Sequence, residues 1–343
     1  MLKTYVRSSS YNNYAFCQMQ YFITYVLGHR SDSGKKAEIG TIVHKTLEVL
    51  AGLKKFQQDN PKRKYLEVTD DVVDVGDKVK IHVDKFLTDS FVDNLSEMSY
   101  DAYTCKSKHH WTKGDFKTVN KLTYQALEYN DGQFDPRFRN VVDSEPHFDI
   151  PIEEDWGKYT YELPDGKVLE GQLAIKGTID LVTRIDNDTI EGIDWKTGQR
   201  KDWATGEEKT YEKLCEDPQL LLYNYAISKM YTDYKQAIMT IFYVKDGGPF
   251  SMCFDLSDKE NFLKMLKERF EDIKKNNAPK LLSRDRSDWR CTRVCHFYKN
   301  KWPETDDNMC IHIERHLKTH GMDETITKCT KPGFSLGHYE APG

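Results

Sequence analysis

No stretch of this sequence approaches eighteen consecutive apolar residues, so a membrane-spanning helix is not expected. The opening Met1-Leu2-Lys3-Thr4-Tyr5-Val6-Arg7 lacks the apolar core of a secretory signal. Internal repeats, low-complexity tracts and Gly/Pro-rich linkers are also missing, which favours one integrated body over separable modules. Positive charge is not in surplus: 50 Lys and Arg face 55 Asp and Glu, for a net charge of −5. That balance does not advertise a nucleic-acid binder, and it leaves local basic contacts open. Clusters at Lys54-Lys55, Lys62-Arg63-Lys64, Arg200-Lys201, and Arg284, Arg286, Arg290 and Arg293 are each most often a solvated face.

With no secretory signal in view, eight cysteines argue for metal ligation or plain burial in a reducing compartment, not for a disulfide framework. With 38% hydrophobic and 12% aromatic residues over 343 positions, the chain can bury a substantial core in two average domains or one elaborated one. These features fit a soluble intracellular protein.

What is present is concentrated in one stretch, Lys176-Gly177-Thr178-Ile179-Asp180 through Asp194-Trp195-Lys196-Thr197-Gly198. Two β-rich runs flank Asp186-Asn187-Asp188, the pattern of a hairpin. A turn centred on Asn187 sets Ile185 against Thr189 and Asp180 against Asp194. Opposite side chains share a sheet face with Cβ atoms about 4.5–5.5 Å apart, and Lys196 points to that same face. Facing carboxylates repel, and a divalent cation relieves them; carboxylates and water suit Mg²⁺ or Mn²⁺. A lysine beside the ion could orient a water or neutralise charge on a phosphate. The alternative is a solvated hairpin with ordinary surface charges. A two-residue loop would shift the register by one and undo the pairing.

Around this stretch the pattern is helical first and strand-like later. Residues 8–28 carry Tyr14, Cys17, Tyr21 and Tyr25 at helical spacing, a stripe best explained as core. Residues 38–53 form a second helix with Ile39, Val43, Leu47 and Leu50 inward, and His44 on a strip with Gly40, Glu48 and Ala51. Residues 54–139 are charged and mostly helical, clearest at 79–95 and 117–129. The connection at 98–116 holds Cys105, His109, His110 and Trp111, a surface loop or a groove lining. Residues 141–152 alternate as a strand with Glu145 inside it. After a long turn at 198–216, Asp217-Pro218 supplies an N-cap and a proline at the first helical position. That helix puts Gln219 and Tyr223 on one face. Strands at 237–244 and 251–256 and a helix at 258–276 complete an α/β core with mixed strand directions.

Gly177-Thr178-Ile179-Asp180, Ile193-Asp194-Trp195-Lys196-Thr197-Gly198 and Gln219 with Tyr223, preceded by Gly40-Thr41-Ile42-Val43-His44, resemble the PD-(D/E)XK nuclease superfamily in its RecB-like branch. The resemblance covers residues 38–53 and roughly 141–244. It implies a restriction-endonuclease-like core, with a mixed β-sheet flanked by helices, a helical N-terminal insertion and a cysteine-rich C-terminal segment. The expected division is 1–140, 141–280 and 281–343, within one integrated body. It implies Asp180 and Asp194 as metal-binding carboxylates, with His44 and the Trp195 carbonyl completing the shell of Mg²⁺ or Mn²⁺. Lys196 would position or activate the water, and Gln219 and Tyr223 would line the substrate side. Glu145 is a weaker accessory carboxylate.

The 287–329 segment holds Cys291, Cys295, Cys310 and Cys329 among His296, His312, His316 and His320. Such clustering favours metal ligation over burial. Many nucleases of the resembled branch carry a 4Fe-4S cluster with one cysteine before the core and three after it. Cys17 with Cys291, Cys295 and Cys310 reproduces that layout. The intervals here are wider than the family's, so Cys329 is a substitute fourth ligand, and structural Zn²⁺ on Cys291, Cys295 and Cys310, His316 or His320 stays open. Cys105, Cys215 and Cys253 are ordinary residues on this reading. The expected function is a metal-dependent DNA nuclease, an exonuclease, in recombination, repair or phage DNA processing. It would act in a bacterial or phage-infected cytoplasm on single- or double-stranded DNA with free ends, beside recombination or replication proteins. The alternatives are a non-catalytic nucleic-acid-binding module and a nuclease for RNA or branched DNA.

Overall fold

A computed structural model of the chain describes residues 1, 3–31, 33–68, 79–163, 166–202, 205–246, 248–283, 285, 287–303 and 305–334. Arg284, Arg286 and most of the tail at 331–343 lie outside the described residues. The elements used below are, in order, β1 (Tyr5–Val6), α1 (Ser8–Phe16), α2 (Lys35–Asp59), α3 (Asp89–Thr104), α4 (Lys113–Leu127), β2 (Val141–Ser144) and β3 (His147–Pro151). They continue with β4 (Lys158–Glu162), β5 (Val168–Gln172), β6 (Ala174–Thr178), β7 (Leu181–Arg184), β8 (Thr189–Lys196) and α5 (Pro218–Met230). The last are β9 (Gln236–Tyr243), β10 (Gly248–Cys253), α6 (Leu256–Lys275) and α7 (Met309–Cys329).

Five strands form the central sheet in the order β10-β9-β8-β7-β2. Strands β8 and β9 run parallel and the other neighbours antiparallel. A smaller sheet, β1-β6-β3, stands beside it, and β4 and β5 make a separate hairpin. Helices cover both faces of the central sheet, because alternate residues of β8 are apolar on both sides. Ile193 and Trp195 pack with Val43, Leu47 and Leu50 of α2, Leu95 of α3 and Leu122 of α4. Ile190 packs the other way, with Leu220, Tyr223 and Ile227 of α5 and Phe262 and Leu266 of α6. Each such buried side chain contributes about 1.5–3 kcal/mol, so it is tertiary packing that holds α2 and α5 against the sheet. The result is an α/β architecture with a mixed sheet flanked by helices, as the sequence leads one to expect.

Three local expectations are corrected. Helix α1 ends at Phe16, and the chain breaks at Cys17 (φ −157°) before continuing as a short helix and a π turn. The break turns the Cys17 backbone out of the helix, and its Sγ accepts the Gln20 N–H at 3.4 Å. Residues 79–95 do not form one helix: Val79–His82 is a strand paired with Tyr65–Val68, and α3 begins at Asp89. Residues 141–152 are two strands in different sheets, separated by a corner at which Glu145 has φ +46°. Strands β6 and β7 bend at the same level, so the chain crosses from the small sheet to the central one at Ile179-Asp180.

Candidate active site

The pairs between β7 and β8 run from Ile190 with Arg184 to Ile193 with Leu181. This is the register of a turn centred on Asn187, and it brings Asp180 level with Asp194. Asp180 has nevertheless left the ladder at the bend. Its Oδ2 accepts the Trp195 backbone N–H at 2.7 Å, and its Oδ1 lies 3.4 Å from His44 Nδ1 of α2. Lys196 uses its carbonyl on Val244 N–H at 2.9 Å, on the β9 side. Trp195, one residue earlier, turns its N–H toward Asp180, and the carbonyl of an extended residue points the same way.

Asp194 faces the other helical layer. Its Oδ1 accepts from Gln219 Nε2 at 2.8 Å, and the same amide group donates to the Tyr223 hydroxyl at 2.9 Å. Gln219 and Tyr223 stand in the first turns of α5, whose N-cap Asp217 accepts from Gln219 N at 2.9 Å and whose first residue is Pro218. Lys196 Nζ lies 2.7 Å from Asp194 Oδ2 as an ion contact, an oxygen that makes no hydrogen bond of good geometry. The site therefore sits where β8 ends, between α2 and α5. His44, Asp180, Asp194, Trp195, Lys196, Gln219 and Tyr223, separated by up to 179 positions in sequence, meet there.

Charge is concentrated here against a desolvation penalty. Asp194 is 2% exposed. Burial first, opposed by Lys196 and reinforced by the charge of Asp180, pushes its carboxyl up to about 6. Burial acts the same way on Asp180, but His44, Lys196 and the Trp195 N–H outweigh it and hold that carboxyl below the usual range. His44 and Lys196 are both raised: burial disfavours their charge, and the two aspartates more than restore it.

Two carboxylates extend the acidic side. Glu145 donates its N–H to the Asp180 carbonyl at 3.1 Å. Burial, then Glu48 and Asp180, push its side chain up to about 7. Glu48, one turn after His44, pairs with Lys45 at 2.8 Å. The sequence put Glu48 on the His44 strip but offered no reason to single it out; its spacing of four from His44 was the available signal.

The donors suit a divalent cation: two carboxylates, one with an oxygen lacking a good hydrogen bond, an imidazole and a backbone carbonyl. Among the described residues no three His, Cys, Asp or Glu side chains converge tightly on one point. Mg²⁺ takes only one or two carboxylates and keeps several waters, so this arrangement is compatible with it.

Cys17, Cys291, Cys295 and Cys310, which begin far apart in the chain, line one cavity of about 210 Å³ with Leu281, Leu282, Phe297 and Ile311. Burial, then the charge of Asp288 and the neighbouring thiols, push Cys291 up to about 11, and burial with the neighbouring thiols pushes Cys310 up to about 12. Cys329 is buried elsewhere, and its carbonyl lies 2.7 Å from His29 Nε2. His316 and His320 pair with each other and do not line the thiol cavity. Cys105 and Cys253 are exposed and Cys215 half-buried, each apart from that cavity. The expected connection at 98–116 is shorter, because α3 runs on to Thr104 and α4 begins at Lys113. Within it the His110 carbonyl accepts from Lys35 Nζ at 2.7 Å and His109 Nε2 lies 3.7 Å from Glu38 Oε1, so the segment braces the start of α2, while Trp111 meets Tyr100 edge-on.

No curated protein matches the sequence. Among solved structures, a protein from Eubacterium rectale whose name proposes an exonuclease is similar over 88% of this chain and 91% of that one. The identity is 12% and the TM-score 0.43. No helix among the described residues is long and apolar enough to cross a membrane. The family model of the PD-(D/E)XK nuclease superfamily matches residues 8–299, most of the chain and all of the β7–β8 site, and the chain belongs to that superfamily.

Proposed function

We propose that this nuclease is a Mg²⁺- or Mn²⁺-dependent deoxyribonuclease of the RecB-like branch, acting as an exonuclease on DNA in recombination, repair or phage DNA processing. The observation that carries the reading is the joining of two helical layers through Asp180 and Asp194. His44 meets one carboxylate from α2, and Gln219 meets the other from α5.

Asp180, Asp194, His44 and the Trp195 carbonyl are the groups that would hold the cation. When bound, it neutralises phosphate oxygens and lowers the pKa of an adjacent water. The remaining work belongs to side chains. Gln219 fixes the rotamer of Asp194 and ties it to Tyr223, so the carboxylate is oriented before substrate arrives. Lys196, charged and 2.7 Å from Asp194, is placed to orient the attacking water or meet charge growing on the phosphate. Tyr223 keeps its proton, since burial and the two aspartates hold its pKa well above the usual phenol value. It can donate to a phosphate oxygen.

The four thiols of the shared cavity would hold a 4Fe-4S cluster. Chemically, thiolates suit iron and zinc alike. The cavity they share, about 210 Å³ and walled by Leu281, Leu282, Phe297 and Ile311, has room for a multi-iron cluster. Such a cluster would staple the break after α1 to the segment around α7, and the 1–140, 141–280 and 281–343 regions act as one body.

The test is incubation of the purified protein with end-labelled linear DNA and closed circular DNA, with and without Mg²⁺ or Mn²⁺, beside Lys196→Ala. Metal-dependent loss of linear DNA alone, absent in the variant, is the expected result. Cutting of circles would make the enzyme an endonuclease. Binding without cleavage under every condition would overturn the catalytic reading in favour of a binding module.

A further inference from the structure

Helix α7 carries His312, His316 and His320 one turn apart, and the three are not equivalent. His312 is taken up by Trp302, whose ring stacks on it with centroids 4.8 Å apart and 5° between planes. His316 stands 6.5 Å from His312 but only 4.4 Å from His320.

The inner nitrogen of His316 is fixed. Its Nδ1 lies 3.0 Å from Thr325 Oγ1. The Thr325 hydroxyl has a single proton, and it donates that proton to the Gly321 carbonyl at 2.7 Å. Thr325 must therefore accept from His316, which places the imidazole proton on Nδ1 and leaves Nε2 with a lone pair. The geometry depends on Gly321, which breaks the helix just after His320 at φ +80°, a conformation open to glycine.

We propose that His316 and His320 form a binding site for one divalent transition-metal ion of the Zn²⁺ or Ni²⁺ class, separate from the thiol cavity and from the nuclease centre. Two imidazoles four residues apart on one helix face can reach the same ion. Imidazole nitrogen is a preferred donor for Zn²⁺, Ni²⁺ and Cu²⁺. The Nδ1–H contact to Thr325 is the kind of outer hydrogen bond that orients a ligating histidine. Burial and the neighbouring His320 keep His316 below the usual imidazole range, so its lone pair is available near neutrality. His320 is exposed and can turn its ring to supply the second nitrogen. Water completes the shell, which makes this a reversible site, weaker than a structural four-ligand zinc. A bound ion would clamp the last turn before the Gly321 break.

Equilibrium dialysis of untagged protein against Ni²⁺ tests the site. Wild type is expected to bind one equivalent more than His320→Ala, whose exposed position leaves the fold intact by circular dichroism. His312→Ala is expected to keep that equivalent, and Thr325→Val to weaken it about tenfold. Wild-type stoichiometry and affinity in His320→Ala would overturn the proposal. Loss of the same equivalent in His312→Ala would overturn the assignment to this pair.

Discussion

Gly40 of α2 and Thr197, just past the end of β8, touch without a side chain between them: a Cβ on Gly40 would lie 2.6 Å from Thr197 Oγ1 and 3.8 Å from its Cβ. The contact sets how closely α2 approaches the strand end, and hence where His44, one turn further on, meets Asp180. Gly40→Ala is expected to cost about 1–3 kcal/mol by overpacking and to slow cleavage by displacing His44. Because only the hydroxyl is in the way, Thr197→Ala should restore most of the lost stability in the double variant. Thermal melts of the four proteins in that cycle check this; additive losses would show that the two residues do not meet.

Asp194→Asn separates charge from shape. The amide oxygen can still accept from Gln219, and the volume is unchanged, so the melting temperature should stay within a few degrees. Cleavage should fall at least about 100-fold, with DNA binding largely retained, because a cation-binding charge has gone and a packing group has not. Nuclease assays, DNA-binding titrations and melts on the same preparation decide it. A parallel loss of binding and stability would mean that Asp194 is structural.

Much of this site was legible in the sequence because a hairpin with one turn has one register, and the Asp186-Asn187-Asp188 turn fixes it. The N-cap and proline at Asp217-Pro218 likewise fix the phase of α5 and so the shared face of Gln219 and Tyr223. The bend at Ile179-Asp180 was not legible. It arises from two sheets competing for one ribbon, and the same competition puts Glu145 at a corner with positive φ instead of inside a strand. The strand at Val79–His82 was hidden because its four residues run straight into the helical turn Val83–Phe86, so the apolar positions of the two merge into one apparent helical stripe. Glu48 acts on the site only through space, where its charge bears on Glu145 from nearly a hundred positions away in the chain.

Lys3 gives the fold a pH dependence. It is 4% exposed, donates to Ser10 Oγ at 3.0 Å and lies 4.8 Å from the Tyr21 ring centroid. Burial, and then the charge of Arg269, bring its pKa down to about 7 from an ordinary value of 10.5. Below about pH 7 both folded and unfolded chains hold the proton, and the folded state bears the full desolvation penalty. Between about 7 and 10.5 only the unfolded chain holds it, so stability rises with pH across that window. Lys3→Met should stabilise the protein most at the acid end and lose this slope. Urea denaturation of both proteins at several values from about pH 6.5 to 9.5 checks it; a constant gap between them would show that Lys3 titrates normally.

The thiol cavity makes a spectroscopic prediction. Cys17 reaches it from the break after α1, whereas Cys291, Cys295 and Cys310 come from the far end of the chain. The thiols are held protonated by burial and by one another, so metal uptake must displace protons and should strengthen as pH rises. Protein purified without chelators should be brown, absorb near about 400 nm and contain iron. Cys17→Ser should bleach it and lower its melting temperature, since a link between distant segments is lost, while Cys329→Ser should leave the colour unchanged. Colourless wild-type protein with stoichiometric zinc, or equal bleaching in Cys329→Ser, would overturn the assignment of iron to these four thiols.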